Sequence, residues 1–152
     1  MNILVTGAAG YIGSVITEEL VREGHSVVAL DNLRQGHREA VEPEAVFVQA
    51  DLGNLEELED VFRCYHIEAV MHLAAESLVA HSMTDPRRYF QSNVIYGINL
   101  LDTMLKNDTR KLVFSSSAAV YGQPENIPIE ETDPTMPINP YGETKLIFER
   151  IL

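Results

Sequence analysis

Cysteine occurs once in this chain of 152 residues, and its 11 lysines and arginines face 23 aspartates and glutamates. The lone Cys64 excludes an internal disulfide and every multi-cysteine metal site, and it fits a reducing compartment. Near the end of a helical segment, it is expected to be a small packing residue. His25, His37, His66, His72 and His81 show no His-Glu-x-x-His or similar spacing, so no metal site is expected. A net charge of −12 leaves no basic stripe for nucleic acid, since Arg87-Arg88 and Arg110-Lys111 are too short. No apolar run approaches the ~18 residues of a membrane span, and the chain opens on a strand-like segment without a basic-then-apolar leader. A cytoplasmic protein is the expectation. What the chain does have is 45% hydrophobic residues, enough for one globular domain over 1–152.

Strand-like and helix-like segments alternate throughout. Strands are expected at Asn2–Thr6, Ser26–Leu30, Ala45–Gln49, Ala69–Leu73 and Lys111–Ser115. A helix is expected over Tyr11–Glu23, with Ile12, Val15, Ile16 and Leu20 inward and Gly24 as its stop. Asn54 caps a second helix, with Glu57 completing a capping box and Leu55, Leu58, Val61, Phe62 and Tyr65 on its apolar face. A long helix follows over Pro86–Lys106, with Phe90, Val94, Ile98, Leu101 and Leu105 spaced for burial. The last helix begins at Tyr141, after a proline-rich loop over Gln123–Pro140. Short apolar strands separated by helices imply parallel pairing and a doubly wound α/β sheet, Rossmann-like, in the order 3-2-1-4-5. Ligands bind such sheets at the carboxyl ends of the strands.

The turn Gly7-Ala8-Ala9-Gly10-Tyr11-Ile12-Gly13 lies between the first strand and the first helix. Glycine lets the backbone bend there and lets a phosphate come close, while the helix start offers free amides to the anion. Asp31, at the end of the second strand and followed by Asn32, can accept ribose hydroxyls and would repel a 2′-phosphate, which favours NAD over NADP. Alone, Asp31 would read equally well as a turn residue. Arg34 could partly soften that repulsion. Asp51 and Leu52 follow the third strand and can meet the adenine; Leu73, Ala74 and Ala75 follow the fourth and leave room for the cofactor. Either group reads equally as loop and packing. Asn93, facing inward from the long helix, is expected to reach a backbone or ribose partner.

Tyr141 and Lys145 share one helix face, and an ammonium beside a phenol stabilises the phenolate that a general base requires. The run Ser115-Ser116-Ser117 supplies hydroxyl donors after the fifth strand. The pair alone is common on amphipathic helices; its place in a dinucleotide fold gives it meaning.

The segments Val5–Gly13, His72–Ala75, Asn93-Val94, Phe114–Gly122 and Pro140–Lys145 together resemble the N-terminal half of the extended short-chain dehydrogenases/reductases, most closely the UDP-glucose 4-epimerases. The resemblance implies Tyr141 as base, Ser117 as its hydroxyl partner, and Lys145 as modulator and ribose contact, with Ser115 counted among the cofactor contacts. It implies hydride removal from C4 of a UDP-hexose onto NAD and return on the other face. Sugar-nucleotide 4,6-dehydratases carry Asp-Glu where this chain has Ala118-Ala119, which speaks against elimination. A UDP-glucuronate epimerase or decarboxylase, or an NAD-binding module without catalysis, stays open. Family members run to about twice this length, so the substrate domain and most UDP-sugar contacts are expected to be absent. The exposed fifth strand suggests a homodimer.

Overall fold

The computed structural model describes residues 1–152. Its strands are β1 (Asn2–Thr6), β2 (Ser26–Asp31), β3 (Val46–Gln49), β4 (Ala69–His72) and β5 (Lys111–Phe114). All four pairings are parallel, and the order is β3-β2-β1-β4-β5. This is the doubly wound arrangement that the alternating pattern predicts. The winding reverses between β1 and β4, so right-handed crossovers send successive helices to opposite faces.

The chain divides into two compact units, 1–74 with 98–115 and 75–97 with 116–152. The first holds the whole sheet, α1 (Tyr11–Arg22), α2 (Leu55–Tyr65) and most of α5 (Tyr96–Lys106). One side of its core is Ile3, Val5, Val27 and Ala29 under Ala8, Ala9, Val41 and Ala45. β1 and β2 are buried on both faces, which is why they read as unbroken apolar runs. α5 lies along α2: Lys106 Nζ meets Glu59 Oε1 at 2.7 Å, and Asn99 Nδ2 donates to Leu52 O at 3.0 Å.

The second unit holds α3 (Val79–Ser82), α4 (Pro86–Phe90), a π turn (Gln91–Ile95), a 3₁₀ turn (Ala118–Tyr121) and α6 (Pro140–Ile151). Asn139 caps α6 by accepting from Gly142 N at 2.8 Å, so this helix starts one residue before Tyr141.

Four expectations are corrected. Ile12 and Val15 on α1 are 57% and 54% exposed, and the helix turns Gly13 and Thr17 inward instead. A Cβ at Gly13 would lie 2.0 Å from Gly7 O, so the helix approaches the turn through its glycine and the contact line rotates. The long helix carries a π turn over Gln91–Ile95, but its buried side already lies one residue before the expected one at Tyr89, ahead of that turn. Ile98 and Leu105 are therefore exposed, while Tyr89, Asn93, Leu100 and Met104 are buried. Cys64 is exposed, because α2 buries Leu58, Val61 and Phe62 and leaves position 64 on the far side. Asn54 does cap α2, yet Glu57 reaches the Asp51 amide at 3.1 Å instead of closing a box.

Candidate functional site

The glycine turn is built by close approach. Gly7 sits at φ +73°, its amide donates to Leu30 O at 2.9 Å, and an added Cβ would lie 2.7 Å from Ala74 N. Gly13 is pressed on Gly7 as described. Gly10 differs: a Cβ there meets only Gly7 O, at 3.3 Å, so its outer side is open. Gly10 is the N-cap of α1, with no side-chain bond and no acidic residue in the first turn. Tyr11, Ile12 and Gly13 are thus the first helical positions, whose amides have no acceptor within the helix. An open cradle of this kind, at the positive end of a twelve-residue helix, suits a diphosphate.

Asp31 braces the cradle from β2. Its Oδ2 accepts from Ala9 N at 3.0 Å and its Oδ1 from Leu33 N at 2.8 Å. Each oxygen keeps further accepting capacity for a hydroxyl. Beyond it, Asn32 Nδ2 donates to Asp51 Oδ2 at 2.9 Å, and the Arg34 guanidinium lies 3.3 Å from the same oxygen. Asp51 Oδ1 accepts from Gly53 N at 2.8 Å. The structure therefore brings Asp31, Asn32 and Asp51 to the ends of neighbouring strands. Leu52 beside them is buried.

Leu73 and Ala74 leave β4 with their amides directed at Thr6, at 3.1 Å to O and 3.4 Å to Oγ1. Thr6 Oγ1 also meets His72 Nδ1 at 2.8 Å, and the imidazole stacks on Phe114 with ring centres 5.8 Å apart. His72 is the satisfied, buried residue that its position suggests. Ser115 donates its amide to His72 O at 3.1 Å. Thr6 was not singled out from the sequence, since a hydroxyl inside an apolar strand carries no signal of its partners.

In the second unit, Tyr141 lies in the first turn of α6 with the Lys145 Nζ 5.9 Å from its ring centre. Lys145 is only 3% exposed, and burial lowers its pKa to about 8. Ser117 caps the 3₁₀ turn by accepting from Ala119 N at 3.1 Å. That turn touches the start of α6: a Cβ on Gly142 would lie 2.5 Å from Ala119 O. Ser117, Tyr141 and Lys145 are thus carried by two elements in direct contact. The loop between these elements is stapled at its base, where Gly122 has φ +65° and leaves no room for a Cβ against Met136 O.

Asn93 completes this unit. Its Oδ1 accepts from Glu76 N at 2.8 Å, and its Nδ2 donates to Glu76 O at 3.0 Å and Thr144 Oγ1 at 3.1 Å. Both amide protons are engaged within the chain, as the backbone alternative for this residue has it. Thr144 passes the link on to Tyr141 O at 2.7 Å. Glu76 is buried, and Arg88 bonds its carboxylate at 2.7 Å. The sequence reading overlooked Thr144, Glu76 and Arg88; a hydroxyl three residues after Tyr141 is the one signal available. Ala75, the first residue of this unit, is half-buried beside Glu76.

The family model for NAD dependent epimerases/dehydratases matches residues 3–152. The chain belongs to this family. Among its relatives, the UDP-glucose 4-epimerases of Lacticaseibacillus casei and Streptococcus mutans are 49% and 50% identical, each over 100% of this chain and 46% of the relative. A crystal structure of a UDP-glucose 4-epimerase superposes with a TM-score of 0.97 at 46% identity, over 99% of this chain and 46% of that one. The Brucella ovis enzyme, solved in complex with NAD, gives a TM-score of 0.96 at 42% identity, over the same shares. The chain spans a little under half the length of the family members it matches.

Proposed function

We propose that this chain is the dinucleotide-binding part, over residues 1–152, of an enzyme that interconverts UDP-glucose and UDP-galactose by oxidising and re-reducing C4 of the sugar. The observation that carries the reading is the buried Lys145 one turn after Tyr141, in a chain that opens on the glycine cradle. The solved relatives with NAD support the choice of cofactor.

The residues fit NAD. The Gly10 cradle and the amides of Tyr11, Ile12 and Gly13 hold the diphosphate. Asp31, with Asn32 beside it, takes the adenosine ribose, while Asp51 and Leu52 border the adenine. Leu73, Ala74, Ala75 and Ser115 shape the path of the cofactor; Asn93 holds its surroundings, and Lys145 takes the second ribose. When bound, NAD accepts a hydride and gives it back. Tyr141 takes the proton of the C4 hydroxyl and later returns it, and Ser117 donates to the same oxygen. Lys145 favours the phenolate by its charge. Ala118 and Ala119 can neither give nor take a proton, so the sugar keeps its other hydroxyls. We also place the protein in the cytoplasm, in galactose metabolism, and as a homodimer; the exposed Ile98 and Leu105 on α5 support the last.

The test is a coupled assay with UDP-galactose on the longest chain that carries these residues, together with thermal melting with and without NAD. Turnover that Tyr141→Phe abolishes, with NAD binding kept, is expected. No melting shift at millimolar NAD would sink the cofactor reading. Turnover of a UDP-uronate alone would replace the substrate.

A further inference from the structure

Arg34 stands three residues beyond the carboxylate that faces the adenosine ribose, in the same loop, and its amide donates to Asn32 Oδ1 at 3.0 Å. An arginine in that place is the ordinary means of receiving a 2′-phosphate. Here its guanidinium is directed elsewhere, 3.3 Å from Asp51 Oδ2, an oxygen that also accepts from Asn32. Asp51 is held in turn by the Gly53 amide, so the acceptor is fixed before the guanidinium arrives. The Arg34 side chain is about half exposed, and the pair with Asp51 sets its direction.

We propose that Asp51 sets the choice between the two dinucleotides by holding Arg34 away from the 2′ position. Asp31 repels a 2′-phosphate directly; Asp51 engages a nearby cation, Arg34, that would offset the repulsion. The proposal rests on the NAD reading above. It makes Arg34 a latent phosphate receptor and Asp51 its lock.

The experiment titrates NAD and NADP separately against the parent, Asp51→Asn, Arg34→Gln and the double variant, by calorimetry and by melting shift. Asn keeps one oxygen for the Gly53 amide and loses, with the charge, the Oδ2 that Asn32 and Arg34 share. The parent is expected to prefer NAD, and Asp51→Asn to lower that preference about threefold to fivefold, the scale of one partly exposed ion pair. Arg34→Gln in the Asp51→Asn background should restore the parent ratio. Should Asp51→Asn fail to fold, Asp51→Ser serves with the same expectation. An unchanged ratio in the single variant overturns the proposal. So does a double variant as permissive as Asp51→Asn, since the charge of Asp51 alone would then be the cause. A parent that binds neither dinucleotide sinks the NAD reading and this one with it, whereas NAD binding with an unchanged ratio sinks only this one.

Discussion

The Asp31 carboxylate accepts the amide hydrogen of Ala9 at 3.0 Å, tying the end of β2 to the middle of the glycine turn. One side chain therefore shapes the cradle and, on the proposed reading, takes the ribose. Asp31→Ala should weaken NAD binding by at least about tenfold and lower the melting temperature by about 5 °C, the effect of losing a charged hydrogen bond in a domain of this size. Differential scanning fluorimetry with and without NAD separates the two effects. An intact melting temperature would show that the Ala9 bond contributes nothing to the fold.

Gly10 and Gly13 should behave oppositely. Gly13→Ala forces a methyl to 2.0 Å from Gly7 O and should destabilise the protein by about 3 kcal/mol or more in urea unfolding. Gly10→Ala meets only a 3.3 Å neighbour, so stability should change by less than about 1 kcal/mol. On the proposed reading its methyl enters the space left for the diphosphate, and NAD affinity should fall by more than about tenfold.

Lys145 gives a pH signature. Burial brings its folded pKa down to about 8 from the ordinary 10.5. Between those values the unfolded chain binds more proton than the folded one, so this group makes stability rise with pH across that window. The full difference is roughly 3 kcal/mol. Lys145→Met removes the term: it should be the more stable protein at pH 7, and its advantage should shrink as pH climbs from 8 toward 10.5. Urea midpoints for both proteins at several pH values test this, and a constant gap would refute it.

Thr144→Val leaves one proton of the buried Asn93 amide without its acceptor. A loss of about 2 kcal/mol is expected. In the complete enzyme kcat should drop more than KM rises, because the Tyr141 turn loses its anchor. Thr144→Ser should restore both.

The strand order, the glycine turn and the last helix were legible because each rests on local grammar: apolar runs, a strand–glycine–helix sequence, and the end of a proline-rich loop. The faces of α1 and of the long helix were not. Ile12 and Val15 obey helical spacing, but the helix docks through Gly13, a residue that a count of apolar side chains ignores. The long helix buries Tyr89, Asn93, Leu100 and Met104, each one residue before a position of the apolar count, because its buried line runs through a tyrosine and an asparagine that such a count passes over. The Asn93, Glu76 and Thr144 bonds join residues up to 51 positions apart, and no local pattern encodes such pairings. The same holds for Arg34 and Asp51.

The close approach of Gly122 to Met136 O brings together the two ends of the stretch between them. Residues 123–135 should therefore accept a change of length or an attached label with little effect on the turn that carries Ser117 or the helix that carries Tyr141. Variation in that stretch is thereby kept apart from the packing of Gly142 against Ala119 at its root.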